Sequence, residues 1–129
     1  MKYAIQVNAG PFYSQAAHTA YQFIKAALDK DHEIVRVFFY HDGVHNGVRH
    51  VLPAEDRHLI PAWSALAGDY GLDLVLCISA GQRRGLLPSD ETAPTDRDAA
   101  VVADGFRVGG LGQWVEACLK ADRVLVFGD

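Results

Sequence analysis

The chain has 129 residues, 50% of them hydrophobic, with 12 Lys and Arg against 16 Asp and Glu, a formal net charge of -4. That length supports one sizeable core and is short for two, so a single domain over residues 1–129 is expected. The acidic balance argues against a surface built to neutralise phosphates. No apolar stretch reaches the ~20 residues of a membrane span, so direct nucleic-acid and membrane contacts are not expected.

The opening "MKYAIQVNAG" reads as an alternating strand over 2–7 rather than a signal peptide, which points to the cytoplasm. Gly10 and Pro11 break it before a helix capped near Ser14, with Ala17, Ala20, Tyr21, Ile24, Ala27 and Leu28 forming one buried stripe. "EIVRVFFY", 33–40, is a second strand, ended by "HDG" and a polar His- and Gly-rich stretch to about Pro53. Leu59, Ile60, Trp63, Leu66, Ala67 and Tyr70 repeat the helical spacing, with Pro61 either opening or kinking that helix. "LDLVLCIS", 72–79, is nearly continuously apolar, as a strand covered on both faces should be, and is the candidate for the middle of the sheet.

"AGQRRGLLP" suggests a short helix, and the polar "SDETAPTDRDAAVVADG" that follows reads as a flexible or partner-ordered loop. "FRV", 106–108, is a short strand. "GGLG" then leads into a helix whose Leu111, Val115, Cys118 and Leu119 share a face, and "RVLVF", 123–127, is the last strand. Strands alternating with helices imply a mainly parallel sheet with helices on both sides.

The two cysteines, Cys77 and Cys118, form no CxxC pair, which fits a reducing compartment. In open parallel sheets, function gathers beyond the carboxyl ends of the strands, and Cys77 lies near such an end. If "AGQRRG" opens a helix, its unpaired N–H groups together with Arg83 and Arg84 would favour the ionised sulfur. A thiol serving only as a small hydrophobe in a core strand explains the same position equally well from these residues alone. Cys118, mid-helix beside Val115 and Leu119, reads as core, and a redox pair with Cys77 would require the fold to bring the two together.

His41, His45, His50 and His58 cluster near Asp42, but spacings of four, five and eight match no common ligand pattern, so solvated or interface histidines are expected rather than a metal site. "NAGP" and "GGLG" are neither a P-loop nor a dinucleotide fingerprint, and tight turns account for their glycines. Phe39 and Trp114 could serve an interface as easily as the core.

"FFYHDGV" (38–44), "CISAGQRRG" (77–85), "GGLGQWVEA" (109–117) and "ADRVLVFGD" (121–129), in this order, resemble the DsrE/TusD family of small sulfur-transfer proteins over essentially the whole chain. The resemblance implies a three-layer α/β fold with a five-stranded, mainly parallel sheet. It also implies a sulfurtransferase in which Cys77 carries a persulfide, with Arg83 and Arg84 in electrostatic support and no metal or organic cofactor. The implied partners are two related subunits, DsrF/TusC-like and DsrH/TusB-like, in a heterohexamer, with a TusA-like sulfur donor and a TusE/DsrC-like acceptor. The implied settings are 2-thiolation of the tRNA wobble uridine and dissimilatory sulfur oxidation. The competing readings are a non-catalytic scaffold subunit of the same kind of assembly and a flavodoxin-like module binding a phosphate-bearing ligand.

Overall fold

The computed structural model of the chain describes residues 1–49, 59–87 and 101–128. Its five strands, β1 (Lys2–Val7), β2 (Glu33–Phe39), β3 (Leu74–Cys77), β4 (Phe106–Gly109) and β5 (Arg123–Phe127), lie in the order β4-β3-β2-β1-β5. Every pairing between them is parallel. Parallel neighbours need crossovers. They are joined by α1 (Ala16–Asp29), a 3-10 helix (His41–Gly47), α2 (Leu59–Tyr70), α3 (Ile78–Arg83) and α4 (Leu111–Lys120).

Consecutive residues of a strand point to opposite faces, and the pair Phe38 and Phe39 shows how the layers are built. Phe39 meets Trp63 of α2 edge-on, ring centroids 5.2 Å apart, and Trp63 in turn meets Tyr21 of α1, so α1 and α2 cover one face. Phe38 stacks on Trp114 of α4 at 6.0 Å, which places α4 on the other. The result is the expected three-layer α/β fold, and both aromatics serve the core.

β2, not β3, is the middle strand; β3 is second from the β4 edge. All four residues of β3 are buried, which is why its composition reads as central. Strand order, however, is set by crossovers and not by local apolarity. α1 buries Ala17, Ala20, Ile24 and Ala27, and the Ser14 hydroxyl accepts a hydrogen bond from the Ala16 amide just ahead of it. Pro61 falls in the first turn of α2 as described, where its missing N–H has no partner to lose.

The stretch read as a polar loop after β2 is largely buried at its start. Gly43, Val44, Asn46 and Gly47 of the 3-10 helix are all enclosed. A Cβ on Gly43 would collide with the Val7 carbonyl oxygen, so this segment lies directly on the end of β1. Asn46 is 0% exposed, yet each of its polar atoms is paired. Its Nδ2 donates to the carbonyls of Ala9 (3.0 Å) and Gly43 (2.9 Å), and its Oδ1 accepts from Trp63 Nε1 (3.1 Å). Beyond it, Val48 bridges Val102 antiparallel, and Ala103 N donates to Gly47 O at 2.7 Å. His50, His58, the end of the His- and Gly-rich stretch and most of the polar segment before β4 lie outside the described residues.

α4 differs from expectation in orientation. Leu111, Val115 and Leu119 do share a face, but that face is exposed, with Leu119 at 83%. α4 is held through Trp114 and the buried Ala117, and Arg36 of β2 donates to the Gln113 carbonyl at 2.7 Å. It lies chiefly over β2 and β1, leaving the same face of β5 uncovered. Phe127 turns toward Phe23 of α1, so Val124 and Val126 point the other way and are exposed. Among the described residues, no helix is long and apolar enough to cross a membrane.

Candidate functional site

Because all five strands run the same way, Val7, Phe39, Cys77, Gly109 and Phe127 end them along one edge of the sheet. Cys77 closes β3, paired with Gly109 of β4, and serves at once as the N-cap residue of α3, its backbone extended at φ -65°, ψ 120°. The strand thus passes into helix without a loop. The expected position near a strand tip is therefore observed, but the sulfur is enclosed there: Cys77 is 1% exposed and belongs to the core with Leu76, Ala80 and Val44. The physical reason is the 3-10 helix, which packs against both β3 and α3 and closes this end of the sheet.

Arg83 and Arg84 lie at the far end of α3. Arg83 is its last residue and Arg84 its C-cap, so at 1.5 Å per residue Arg83 is ~9 Å along the axis from Cys77. Arg84 is committed elsewhere. Its Nε donates to Asp42 Oδ1 of the 3-10 helix at 2.8 Å, and its Nη1 donates to the Ala80 carbonyl at 3.2 Å. Any electrostatic support for the sulfur from this pair is a field over that distance rather than a contact.

Both cysteines are free thiols. α4 begins beside the Cys77 edge and descends to the start of β5, which puts Cys118 two turns down, toward the opposite edge. Cys118 is half-buried rather than core, and that burial pushes its thiol above the ordinary range, so less of it is ionised at neutral pH. His41 opens the 3-10 helix and His45 lies in its last turn, and the described residues hold no group of three or more His, Cys, Asp or Glu arranged to bind a metal. In "GGLG", a Cβ on Gly109 would meet Gln113 Nε2 at 2.6 Å and Val75 Cγ1 at 2.9 Å, so close packing accounts for this glycine.

Two features escaped the sequence. One is the Asp42–Arg84 pair, foreshadowed only by the "HDG" that ends β2. The other is a clasp around Asp73, just ahead of β3, whose carboxylate accepts from Arg36 Nε (2.7 Å) and from Arg107 Nε (2.7 Å) and Nη2 (2.9 Å). The Arg107 hydrogen bonds hold its carboxyl below the usual range, with Arg36 adding to the effect against partial burial. Asp73 lies four residues before Cys77, ~13 Å away along the strand, so the clasp ties β2, β3 and β4 at the opposite edge.

The profile of the DsrE/DsrF-like family matches residues 1–127. The chain belongs to this family. It is 52% identical over 130 residues to a protein of Allochromatium vinosum named for a DsrE sulfurtransferase, with 100% of each chain covered. Sulfurtransferase TusD homologs of Vibrio vulnificus (42% identity, 98% of each chain) and Pseudomonas aeruginosa (43%, 99% of this chain and 98% of that one) match similarly. The crystal structure of the ychN protein from E. coli has the same fold, with a TM-score of 0.73 at 23% identity, covering 98% of this chain and 99% of that one. Sulfurtransferase is accordingly the activity class of this DsrE/DsrF-like chain.

Proposed function

We propose that this DsrE/DsrF-like protein relays sulfane sulfur, with Cys77 as the carrier. The ionised sulfur of Cys77 attacks the outer sulfur of a donor protein's cysteine persulfide. A new S–S bond forms on Cys77 as the donor's S–S bond breaks, and the donor leaves as a thiolate, with no net oxidation or reduction. An acceptor thiolate then repeats the exchange on the Cys77 persulfide. No metal or organic cofactor takes part.

The observation that carries this reading is the placement of Cys77, alone of the two cysteines, at the carboxyl edge of a parallel sheet where the chain turns from strand to helix. One specific observation favours a second reading: a sulfur that is 1% exposed is what a non-catalytic scaffold subunit would also have. A single experiment separates them. Incubation with a TusA-like carrier protein loaded as its cysteine persulfide, followed by mass spectrometry, should add the mass of one sulfur, removable by reductant. Cys77→Ser should abolish the addition and Cys118→Ser should not. Loading on Cys118 alone, or on neither, rejects the relay.

The partners we propose are DsrF/TusC-like and DsrH/TusB-like subunits, a TusA-like donor and a TusE/DsrC-like acceptor. The exposed apolar face of Leu111, Val115 and Leu119 with Val124 and Val126 supports a subunit contact, since large contiguous apolar patches are uncommon on soluble monomers. Identity of 52% to the DsrE-named relative, against 42% and 43% to the two TusD homologs, favours dissimilatory sulfur oxidation over tRNA wobble-uridine thiolation as the setting.

A further inference from the structure

We infer that Asp42 is a positioning residue whose ion pair with Arg84 latches α3 over the end of β3 and so sets how often the Cys77 sulfur can be reached. The inference rests on the relay reading of Cys77. A carrier sulfur must meet a donor as large as a protein, yet this one is 1% exposed, so transfer requires some covering element to move.

The elements around Cys77 differ in how firmly they are tied. β2 and β4 are bound to β3 by parallel ladders. The 3-10 helix is pinned by Gly43 against the Val7 carbonyl and by the fully paired, buried Asn46. α3 has only six residues, too short to hold its own shape, and Ile78, Ser79 and Arg83 on it are exposed. Gly85, at φ +69°, turns the chain back so that the amides of Leu86 (2.9 Å) and Leu87 (3.3 Å) donate to the Gly81 carbonyl. The Leu87 side chain packs on Gly81, where a Cβ would collide with it, so α3 and its closing turn form one unit that can shift together.

An ion pair ties that unit to the pinned 3-10 helix: Arg84 Nε lies 2.8 Å from Asp42 Oδ1. Asp42's side chain is 69% exposed, which makes the contact weak and open to competition from a charged partner. It behaves as a latch.

The test measures native-state alkylation of Cys77 by iodoacetamide, followed by mass spectrometry of the two cysteine peptides, with Cys118 as internal reference. Asp42→Asn should accelerate Cys77 alkylation about two- to fivefold, the range an exposed ion pair commands, and leave Cys118 unchanged. Asp42→Glu should keep close to the wild-type rate. Arg84→Gln should match Asp42→Asn, and the double variant should add nothing further. In the wild type, screening the pair with about 1 M salt should also accelerate the reaction of this uncharged reagent, a readout that needs no variant to fold. Equal rates in wild type and Asp42→Asn with no response to salt, or a parallel rise at Cys118, overturns the latch. Persulfide loading of the wild type is scored separately. Loading with indifferent alkylation rates ends the latch and keeps the relay, whereas responsive rates without loading end the relay alone.

Discussion

Replacing Asn46 by Ala tests how the 3-10 helix is held over the Cys77 edge. The substitution removes hydrogen bonds to the Ala9 and Gly43 carbonyls and the acceptor for the Trp63 indole N–H, all at a side chain that is 0% exposed. At ~1 kcal/mol net per bond, the three together stabilise the fold by about 3 kcal/mol. Leaving the indole N–H and both carbonyls wholly unpaired would raise the loss toward ~6 kcal/mol. The vacated space, however, is on the order of one water molecule, which can restore part of the pairing. We therefore expect a loss of about 2–4 kcal/mol, a large share of the 5–15 kcal/mol typical of a domain. In urea unfolding with m of about 1.5 kcal/mol/M, the midpoint should fall by roughly 1.3–2.7 M. Trp63→Phe should cost about 1 kcal/mol less in the Asn46→Ala background than in the wild type, because its partner has already gone. A midpoint shift below ~0.3 M, or additive costs for the two substitutions, would show that Asn46 does not anchor this segment.

The Asp73 clasp predicts an acid limb. Asp73 has a depressed folded-state pKa, so the stability it contributes is present above its unfolded value of ~3.9 and is lost as pH falls through the folded value. Asp73→Asn should lower stability by about 2 kcal/mol at pH 7 and flatten the decline below about pH 4, as followed by urea midpoints across pH; parallel curves would contradict this. Two glycines should respond oppositely to alanine. Gly43→Ala drives a methyl into the Val7 carbonyl and should cost several kcal/mol, of the order seen for overpacking and backbone displacement. Gly68, in α2 with nothing within 4 Å of a built Cβ, should gain ~1 kcal/mol and roughly 2–6 °C in melting temperature by calorimetry.

What could be read in advance follows from which forces are local. β1, β2 and β5 were legible to within a residue because their alternating or β-branched runs end at Gly, Pro or Asp. Cys77 was legible as lying near a strand end because the Ala-Gly-Gln-Arg-Arg run from residue 80 could not continue the strand, although the strand read as running to Ser79 in fact stops at Cys77. Its enclosure was not, since that depends on residues 41–47, whose His, Asp, Asn and Gly content imitates a solvated loop. That segment is buried through a glycine that fits under a carbonyl and an asparagine with every polar atom paired, neither of which leaves an apolar period. The α4 stripe shows the same limit: spacing identified Leu111, Val115 and Leu119 as one face, but a helical wheel does not say which side meets the sheet.

The closed end of β3 also bears on the chemical survival of the thiol. Peroxide and glutathione-sized thiols reach only sulfur that is presented to them, so an enclosed Cys77 is slow to climb toward sulfinic and sulfonic acids. Once loaded, the second sulfur would be kept from scavenging by the small-molecule thiol pool. On the proposed relay, storage and selectivity would share one origin, the enclosure of this sulfur among the described residues by the 3-10 helix and α3.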